Sequence, residues 1–312
     1  MRVLVLGAGG TGGYFGGRLA QAGADVSFLV RPARATQLER CGLRLRSPLG
    51  DADIAVRVLT ADALSGDVAQ APFDLVMLSC KAYDLDGAIE AVAPAMGDGT
   101  TLLPILNGLL HYEALDAHFG RDRVLGGLCF ISVVKEDDGV VAHLGRPASI
   151  TFGERDGGSS ARVEAFAGLC ARAGIDHRAS ARIAQEQWIK FSFLAALAAG
   201  TCLMRASIGD IVAAEGGAGF MAALHDECLA VAAAAGQPVP EQARAIARAS
   251  LVDSGSDVKA SMLRDLEAGA RVEAGHIVGD MLRRAQSAGI AVPCLQAAWV
   301  HLQAYERQRR AS

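Results

Sequence analysis

Apolar residues form short, nearly continuous runs in the first half of the chain. The clearest runs are "RVLVLGAG", "DVSFLVR", "FDLVMLSCK" and "TTLLPILNG", and each ends in a glycine or a basic residue. Strands that are apolar on both faces are typical of a parallel sheet covered by helices on both sides. Helix patterns follow the first run, at "TGGYFGGRLAQAGA", and the third, from about Asp84 to Ala95. We therefore predict an α/β fold for this half.

The pattern changes twice further along the chain. Residues 124–153 carry strand-like runs divided by the turn sequences "DDG" and "GRP", and we expect short strands that extend the sheet antiparallel. Beyond about residue 159 the pattern is helical, with Gly289 and Pro293 placed to end a helix. The predicted helices are Ala161–Ala173, Ile183–Thr201, Gly219–Ala235, Glu241–Ala249, Ser256–Ala268, Val272–Ala288 and Leu295–Arg309. We predict two domains, at residues 1–180 and 181–312.

Composition and charge narrow the classes of function. A chain of 312 residues is long enough for two domains, and its net charge of −4 offers no basic excess for nucleic acid. The longest apolar run, Trp188–Met204, is broken by Lys190 and fits a buried helix better than a membrane span. The seven cysteines show no CxxC or Cys/His cluster. We expect a cytoplasmic protein without a membrane partner, a metal site or disulfides.

The sequence "GAGGTG" places Gly7, Gly9 and Gly12 in the spacing GxGxxG between a strand and a helix. That context is the one required for binding a dinucleotide pyrophosphate. Gly7 would form the tight turn, Gly9 would let the backbone approach the phosphates, and Gly12 would let the helix pack on the strand. The residues predicted to hold the cofactor here are Gly7, Ala8, Gly9, Gly10, Thr11 and Gly12.

The end of the second strand indicates which dinucleotide is bound. An acidic residue there would bind the ribose 2′-hydroxyl of NAD, but this strand ends "FLVR", with Arg31 at that place and Arg34 close behind. Arginine matches a 2′-phosphate, so NADP(H) is the predicted cofactor. A solvated strand end is the alternative for Arg31.

The apolar segment "WIKFSFLAALAAG" contains one lysine, Lys190, near its start. One interpretation is that the stem of the side chain is buried and its ammonium group reaches water. The other is that Lys190 lies at the wall of a site, where it can donate a proton.

Several motifs, in this order and spacing, resemble the ketopantoate reductase (2-dehydropantoate 2-reductase) family over nearly the whole chain. They are "GAGGTGGYFGGRLA", "LVR", "SCKAYD", "LNG", "HLG", "WIKF", "SMLRDLEAG" and "VEAGHIVGDMLRRAQSAGIAVP". The resemblance implies an N-terminal Rossmann-type dinucleotide-binding domain followed by an all-helical domain. It also implies NADPH-dependent reduction of a 2-oxo acid, by default 2-dehydropantoate, to a 2-hydroxy acid in pantothenate biosynthesis.

The resemblance also assigns roles to single residues. Lys190 corresponds to the proton donor, and Glu273 to its carboxylate companion at the cofactor side. Asn107 corresponds to a residue that contacts both the nicotinamide end and the substrate. From the residues alone, Glu273 could instead be a partner of a helix dipole. Asn107 and Gly108 could form a plain turn after a strand.

Three further roles come from the same resemblance. Lys81 corresponds to a lysine near the dinucleotide, and Ser132 falls where the family backbone touches the cofactor. Ser261 corresponds to a ligand of the substrate carboxylate. Because Ser261 and Asp265 share a helix face, a surface or capping role is the alternative for Ser261.

The chain departs from the family pattern at one wall of the substrate site. Many members carry asparagines where this chain has Leu194, Ala198 and Ile208. The reaction type is unaffected, but the identity of the 2-oxo acid is left open. The alternatives are a related reductase of a more apolar 2-oxo acid and a non-catalytic NADP-binding sensor. The apolar faces of the predicted helices would suit a homodimer.

Overall fold

The chain divides into two compact units. The computed structural model describes residues 1–311, apart from the side chain of Gln70. The first unit comprises Met1–Leu106 and His111–Ile183, and the second comprises Asn107–Leu110 and the chain from Ala184 onward. A segment of four residues from the strand-rich half is thus part of the helical unit.

The first unit contains the parallel sheet expected from the apolar runs. Its strands are β1 (Val3–Leu6), β2 (Val26–Leu29), β5 (Arg57–Leu59), β6 (Leu75–Leu78) and β7 (Thr101–Pro104). Across the sheet they lie in the order β5-β2-β1-β6-β7. All four neighbouring pairs are parallel, with Val3 opposite both Val26 and Leu75. The predicted fold class, a Rossmann-type α/β domain with an all-helical second domain, is confirmed.

A second sheet corrects the prediction for residues 124–153. Its strands are β3 (Leu43–Arg46), β4 (Ala52–Ile54), β8 (Gly126–Lys135), β9 (Val141–Gly153) and β10 (Asp176–Ala179). Strand β9 pairs antiparallel with β8 and parallel with β3 and β10, so this region forms a sheet of its own. The predicted turn at "DDG" is real, since Gly139 has φ +86°. The sequence "GRP" makes no turn and lies inside β9.

Glycines allow helix α1 (Gly10–Gln21) to pack closely on both sheets. A Cβ atom built on Gly16 would lie 2.9 Å from Phe28 and Val5 of the first sheet. One built on Gly17 would lie 2.9 Å from Leu43 of the second sheet. Glycine inside a helix costs about 0.5–1 kcal/mol, so the run "GGYFGG" indicates that close packing decides the residue type here.

The remaining helices are divided between the two units. The first unit contains α2 (Pro32–Cys41), α3 (Ala61–Gln70), α4 (Leu85–Val92), α5 (His111–Phe119) and α6 (Ala161–Arg172). The helical half contains α7 (Ile183–Met204), α8 (Ile208–Ala213), α9 (Gly217–Ala234), α10 (Glu241–Leu251), α11 (Ser261–Glu267), α12 (Asp280–Ser287) and α13 (Pro293–Ala311). A π-helical segment, Gly275–Gly279, leads into α12.

Two predicted helix starts are wrong. Helix α11 begins at Ser261, five residues later than expected, because the preceding residues bind the start of α8. The amide of Gly209 donates to the carbonyl of Ser256 at 2.7 Å, and that of Ile208 donates to Val258 at 3.0 Å. The helix expected from Val272 begins with the π-helical segment.

Helix α7 forms part of the core of the second unit. It is long and apolar enough to span a membrane, but 67% of its most apolar window is buried within the protein. Its two buried hydroxyls bind its own backbone, Ser192 to the carbonyl of Trp188 at 2.8 Å and Thr201 to that of Leu197 at 2.7 Å. The helix is therefore packed as a core helix, with its polar side chains satisfied internally.

The buried His225 of α9 should make stability depend on pH. Burial, with a contribution from Arg248, lowers its pKa to about 4, whereas an unfolded imidazole titrates near 6.5. Between pH 6.5 and 4 the unfolded chain therefore binds more protons, and the folded state loses stability as the pH falls. Urea titrations at pH 7 and 4.5 should show that His225→Leu removes about 2.5 kcal/mol of this loss. Equal losses in the two proteins would contradict this assignment.

Candidate active site

The glycine loop at the end of β1 has the form that a pyrophosphate requires. Gly7 has φ +86°, which favours glycine, and a Cβ atom built on Gly9 meets nothing within 4 Å. A Cβ atom on Gly12 would collide with the Ser79 hydroxyl and lie 2.7 Å from the Gly7 carbonyl oxygen. Gly9 caps α1 without any side-chain hydrogen bond, so the first helical N–H groups are available to an anion. The loop therefore fits a dinucleotide.

The two arginines after β2 have different surroundings. Arg31 is 86% exposed and lies 3.7 Å from a carboxylate oxygen of Asp84. Arg34, in the first turn of α2, donates a hydrogen bond of 2.9 Å to the carbonyl oxygen of Ala8 in the glycine loop. Burial lowers the pKa of Arg34, and the nearby Arg44 adds to the effect. Both arginines thus belong to the end of the sheet where the loop lies.

Lys81 and Ser132 lie on segments next to this loop. Lys81 is half-buried and precedes a short 3₁₀ turn after β6, the strand that neighbours β1. Ser132 lies in β8 at a register shift between Ile131 and Val133. The carbonyl oxygen of Val133 would be 3.0 Å from a Cβ atom built on Gly10, so this part of β8 borders the loop.

Lys190 and Asn107 are brought together in the second unit. The Nζ atom of Lys190 donates a hydrogen bond of 2.9 Å to Oδ1 of Asn107. Because an ammonium group only donates, the acceptor must be the amide oxygen, which fixes the orientation of the Asn107 side chain. The lysine is half-buried, between the largely buried Trp188 and Phe191 of α7. Its charge is therefore held by an amide within the protein, which simple exposure to water does not explain.

The turn that carries Asn107 is shaped by His276, a residue to which the sequence assigns no role. Gly108 has φ +81°, and a Cβ atom built on it would lie 2.9 Å from both the Cδ2 atom and the carbonyl oxygen of His276. His276 is 8% exposed and belongs to the π-helical segment. Such segments frequently occur at functional sites. Burial lowers the pKa of His276 despite the opposing effects of Glu273 and Asp280.

Glu273 begins a row of polar residues along one side of this segment and α12. It is 8% exposed, and its carbonyl oxygen accepts from the amides of His276 and Ile277. Seven residues after Glu273, the buried Asp280 accepts from Arg284 at 2.9 Å. The guanidinium of Arg284 lies 5.4 Å from the ring centroid of Trp188 on α7. These contacts link α12, which follows Glu273 and the π-helical segment, to α7, which carries Lys190.

The predicted substrate side is only partly exposed. Ser261 is exposed at the start of α11, and its hydroxyl makes no hydrogen bond within residues 1–311. Of the three apolar replacements, Ala198 and Ile208 are fully buried, while Leu194 is half-buried four residues after Lys190. Phe193, three residues after Lys190, is also half-buried. Within the second unit, the apolar surface nearest to Lys190 along α7 thus consists of Phe193 and Leu194.

The sheet, the glycine loop and the lysine–amide pair define a dinucleotide-dependent oxidoreductase. No group of three His, Cys, Asp or Glu residues that could hold a metal ion occurs in residues 1–311. The chain belongs to the ketopantoate reductase PanE/ApbA family, whose N-terminal domain matches residues 3–157 and whose C-terminal domain matches residues 182–306. Members of this family act on small keto acids with NAD(P)H.

Three similar proteins span the whole chain. An uncharacterized oxidoreductase, YkpB of Bacillus subtilis, is 36% identical over 99% of this chain and all of its own. The crystal structure of 2-dehydropantoate 2-reductase from Methylococcus capsulatus is 28% identical, with a TM-score of 0.89 over 100% of this chain and 99% of that one. D-mandelate dehydrogenase, solved with NADH and anilino(oxo)acetate, is 18% identical with a TM-score of 0.87 over 99% and 100%, and shares the fold.

The contact between Gly108 and His276 can be tested through stability. Gly108→Ala places a side chain at positive φ and forces it against His276, so it should destabilise the protein by about 2–4 kcal/mol. Gly289 is the matched control, because it also has positive φ, +67°, but nothing lies within 4 Å of a Cβ atom there. Gly289→Ala should cost only the backbone strain, about 1 kcal/mol. Equal losses in urea titrations would show that His276 does not constrain the turn.

Proposed function

We propose that the protein catalyses NADPH-dependent reduction of a 2-oxo acid, with 2-dehydropantoate (ketopantoate) as substrate and pantoate as product, in pantothenate biosynthesis. The observation that carries the proposal is the hydrogen bond of 2.9 Å from Lys190 to Asn107. It holds an ammonium group at a fixed place in a chain whose family reduces keto acids.

The glycine loop and its surroundings hold the cofactor in this proposal. The unsatisfied N–H groups at the start of α1 bind the pyrophosphate, and Arg31 favours a 2′-phosphate over a free ribose hydroxyl. Lys81, Ser132, Asn107 and Glu273 complete the cofactor contacts. When bound, NADPH supplies the hydride that reduces the ketone carbon.

Lys190 stabilises the charge that develops during reduction. As hydride reaches the carbonyl carbon, negative charge grows on the carbonyl oxygen, and a cation directed at it lowers the barrier. A lysine carries a proton at neutral pH, so the Nζ atom can then deliver that proton to the oxygen. Asn107 keeps the ammonium group in position through its Oδ1 atom. In this proposal Glu273 is the carboxylate companion of Lys190, and Ser261 binds the substrate carboxylate.

A second candidate function is reduction of a more apolar 2-oxo acid. The half-buried Phe193 and Leu194, on the face of α7 that follows Lys190, favour it, since neither side chain can bind a substrate hydroxyl. A non-catalytic NADP-binding sensor is disfavoured, because a sensor has no need of a positioned proton donor.

The proposal also covers organisation and location. Residues 1–180 form the NADP-binding domain, and residues 181–312 form the substrate and catalytic domain. The enzyme acts in the cytoplasm on a small 2-oxo acid, without a nucleic-acid, membrane or metal partner. Assembly as a homodimer stays a prediction from the apolar helical faces.

Replacing the proton donor should slow the chemical step. Lys190→Met keeps most of the apolar stem but removes the ammonium group, so kcat should fall by about 10²–10⁴ while NADPH still binds. Lys259→Met is the control, because Lys259 pairs with Glu267 at 2.8 Å on another helix. Stopped-flow oxidation of NADPH measures both. A kcat within a few-fold of the unmodified protein would reject Lys190 as the acid.

The substrate wall should discriminate weakly against loss of the hydroxyl. An apolar wall separates a substrate from its analogue lacking a hydroxyl by about 10² or less, whereas a hydrogen-bonding site reaches about 10⁴–10⁵. We expect kcat/KM for ketopantoate to exceed that for 3,3-dimethyl-2-oxobutanoate by no more than about 10². Leu194→Asn should raise the ratio, and Met204→Asn, exposed at the end of α7, should not.

The kcat/KM values for these 2-oxo acids distinguish the candidate functions. A ketopantoate preference above about 10⁴ would mean that other polar groups bind the hydroxyl. A preference for the apolar acid would favour the second candidate. Turnover with neither acid, nor with longer 2-oxo acids, would favour the sensor.

A further inference from the structure

Arg34 is a fixed cation in the glycine-loop region. Its NH2 group donates to the carbonyl oxygen of Ala8 at 2.9 Å, and its NH1 group donates to Oε1 of Gln37. Gln37 in turn donates at 2.8 Å to the carbonyl oxygen of Asp138, in the turn between β8 and β9. A Cβ atom built on Gly139 in the same turn would collide with both Arg34 and Gln37. The guanidinium is therefore held between the glycine loop and the hairpin turn.

The charge of Arg34 has no carboxylate partner within residues 1–311. Of the five N–H groups of a guanidinium, two are accepted by Ala8 and Gln37, which leaves three without an acceptor. One of them, on Nε, is buried. The neighbouring Arg44 is satisfied instead by the Asp138 carboxylate at 3.1 Å. This end of the sheet thus carries a half-buried cation that lacks an anion.

Arg31 is less prepared to bind an anion than Arg34. It is 86% exposed, and its only ion pair in the described chain, with Asp84 at 3.7 Å, already offsets part of its charge. An exposed arginine must also lose side-chain entropy when it orders on a ligand, and its charge is screened by salt. Arg34 has already lost that freedom and lies in a less polar environment.

We infer that Arg34, more than Arg31, recognises the 2′-phosphate of NADPH. The inference rests on the proposed NADPH dependence. The adenosine ribose of a dinucleotide lies between the glycine loop and the end of the second strand. Arg34 follows that strand, in the first turn of α2, and its guanidinium bonds to the glycine loop. A phosphate group supplies the missing negative charge and several acceptor oxygens for the N–H groups that have none. Arg31 then adds a weaker, salt-sensitive attraction.

Equilibrium binding of NADPH and NADH, followed by the fluorescence of the reduced nicotinamide, tests this inference without turnover. Arg34→Gln should weaken NADPH binding about 10- to 100-fold, the range for a lost hydrogen bond to a charged group, and change NADH binding less than about threefold. Arg31→Gln should weaken NADPH binding by a smaller factor, and only at low salt. Arg40→Gln, which removes the same charge from the last turn of α2, is the matched control and should change neither affinity.

Retained NADH binding shows that a variant is folded. If Arg34→Gln fails to fold, Gln37→Leu removes the side chain that fixes Arg34 without removing its charge, and should lower the NADPH preference several-fold. Equal weakening of NADPH and NADH, or no change in either, would overturn the role of Arg34 and leave the proposed reductase intact. Equal affinity of the unmodified protein for both cofactors would overturn the NADPH preference itself and this inference with it.

Discussion

The hydrogen bond between Lys190 and Asn107 is the interaction on which the proposed reductase function depends. A half-buried ammonium group needs an acceptor, and the acceptor comes from a residue that follows β7, more than 80 positions earlier in the chain. The segment Asn107–Leu110 is accordingly part of the helical unit. Its backbone can turn there because Gly108 adopts a positive φ and leaves room for His276.

Close packing also determines the structure around the glycine loop. The glycines of α1 let one helix pack on two sheets, and that helix begins directly after the glycine loop. The second sheet supplies the hairpin turn that holds Gln37 and Arg34 against the loop. The second sheet, which the sequence did not predict, therefore fixes Arg34, the residue that we propose binds the 2′-phosphate.

The sequence predicted the elements that are marked by a pattern of neighbouring residues. The apolar runs of β1, β2, β6 and β7, the GxGxxG loop and Arg31 all follow from neighbouring residues. No local pattern predicted which strands pair when they are far apart in the sequence. Strand β9 contains Gly145 and Pro147, which read as a turn, but residues 144–147 instead form a bulge opposite Ser132 of β8, and the rest of β9 is paired with β3, β8 and β10.

Features of the site that arise from tertiary contacts could not be predicted from the sequence either. Nothing local marks His276 as the neighbour of Gly108, or α11 as delayed by bonds from the start of α8. The glycine of "LNG" did signal a turn, but its close contact depends on a helix more than 160 residues away. The resemblance to the family supplied Lys190 and Asn107 as separate residues, and their hydrogen bond is a result of the structure.

A double-mutant cycle on kcat/KM for reduction of a 2-oxo acid tests the central claim most directly. It compares Lys190→Met, Asn107→Ala and the combined variant with the unmodified protein. If Asn107 acts chiefly by holding Lys190, its replacement should cost much less once the lysine is gone, and the two losses should be far from additive. Full additivity, with Asn107→Ala equally harmful in both backgrounds, would contradict the account.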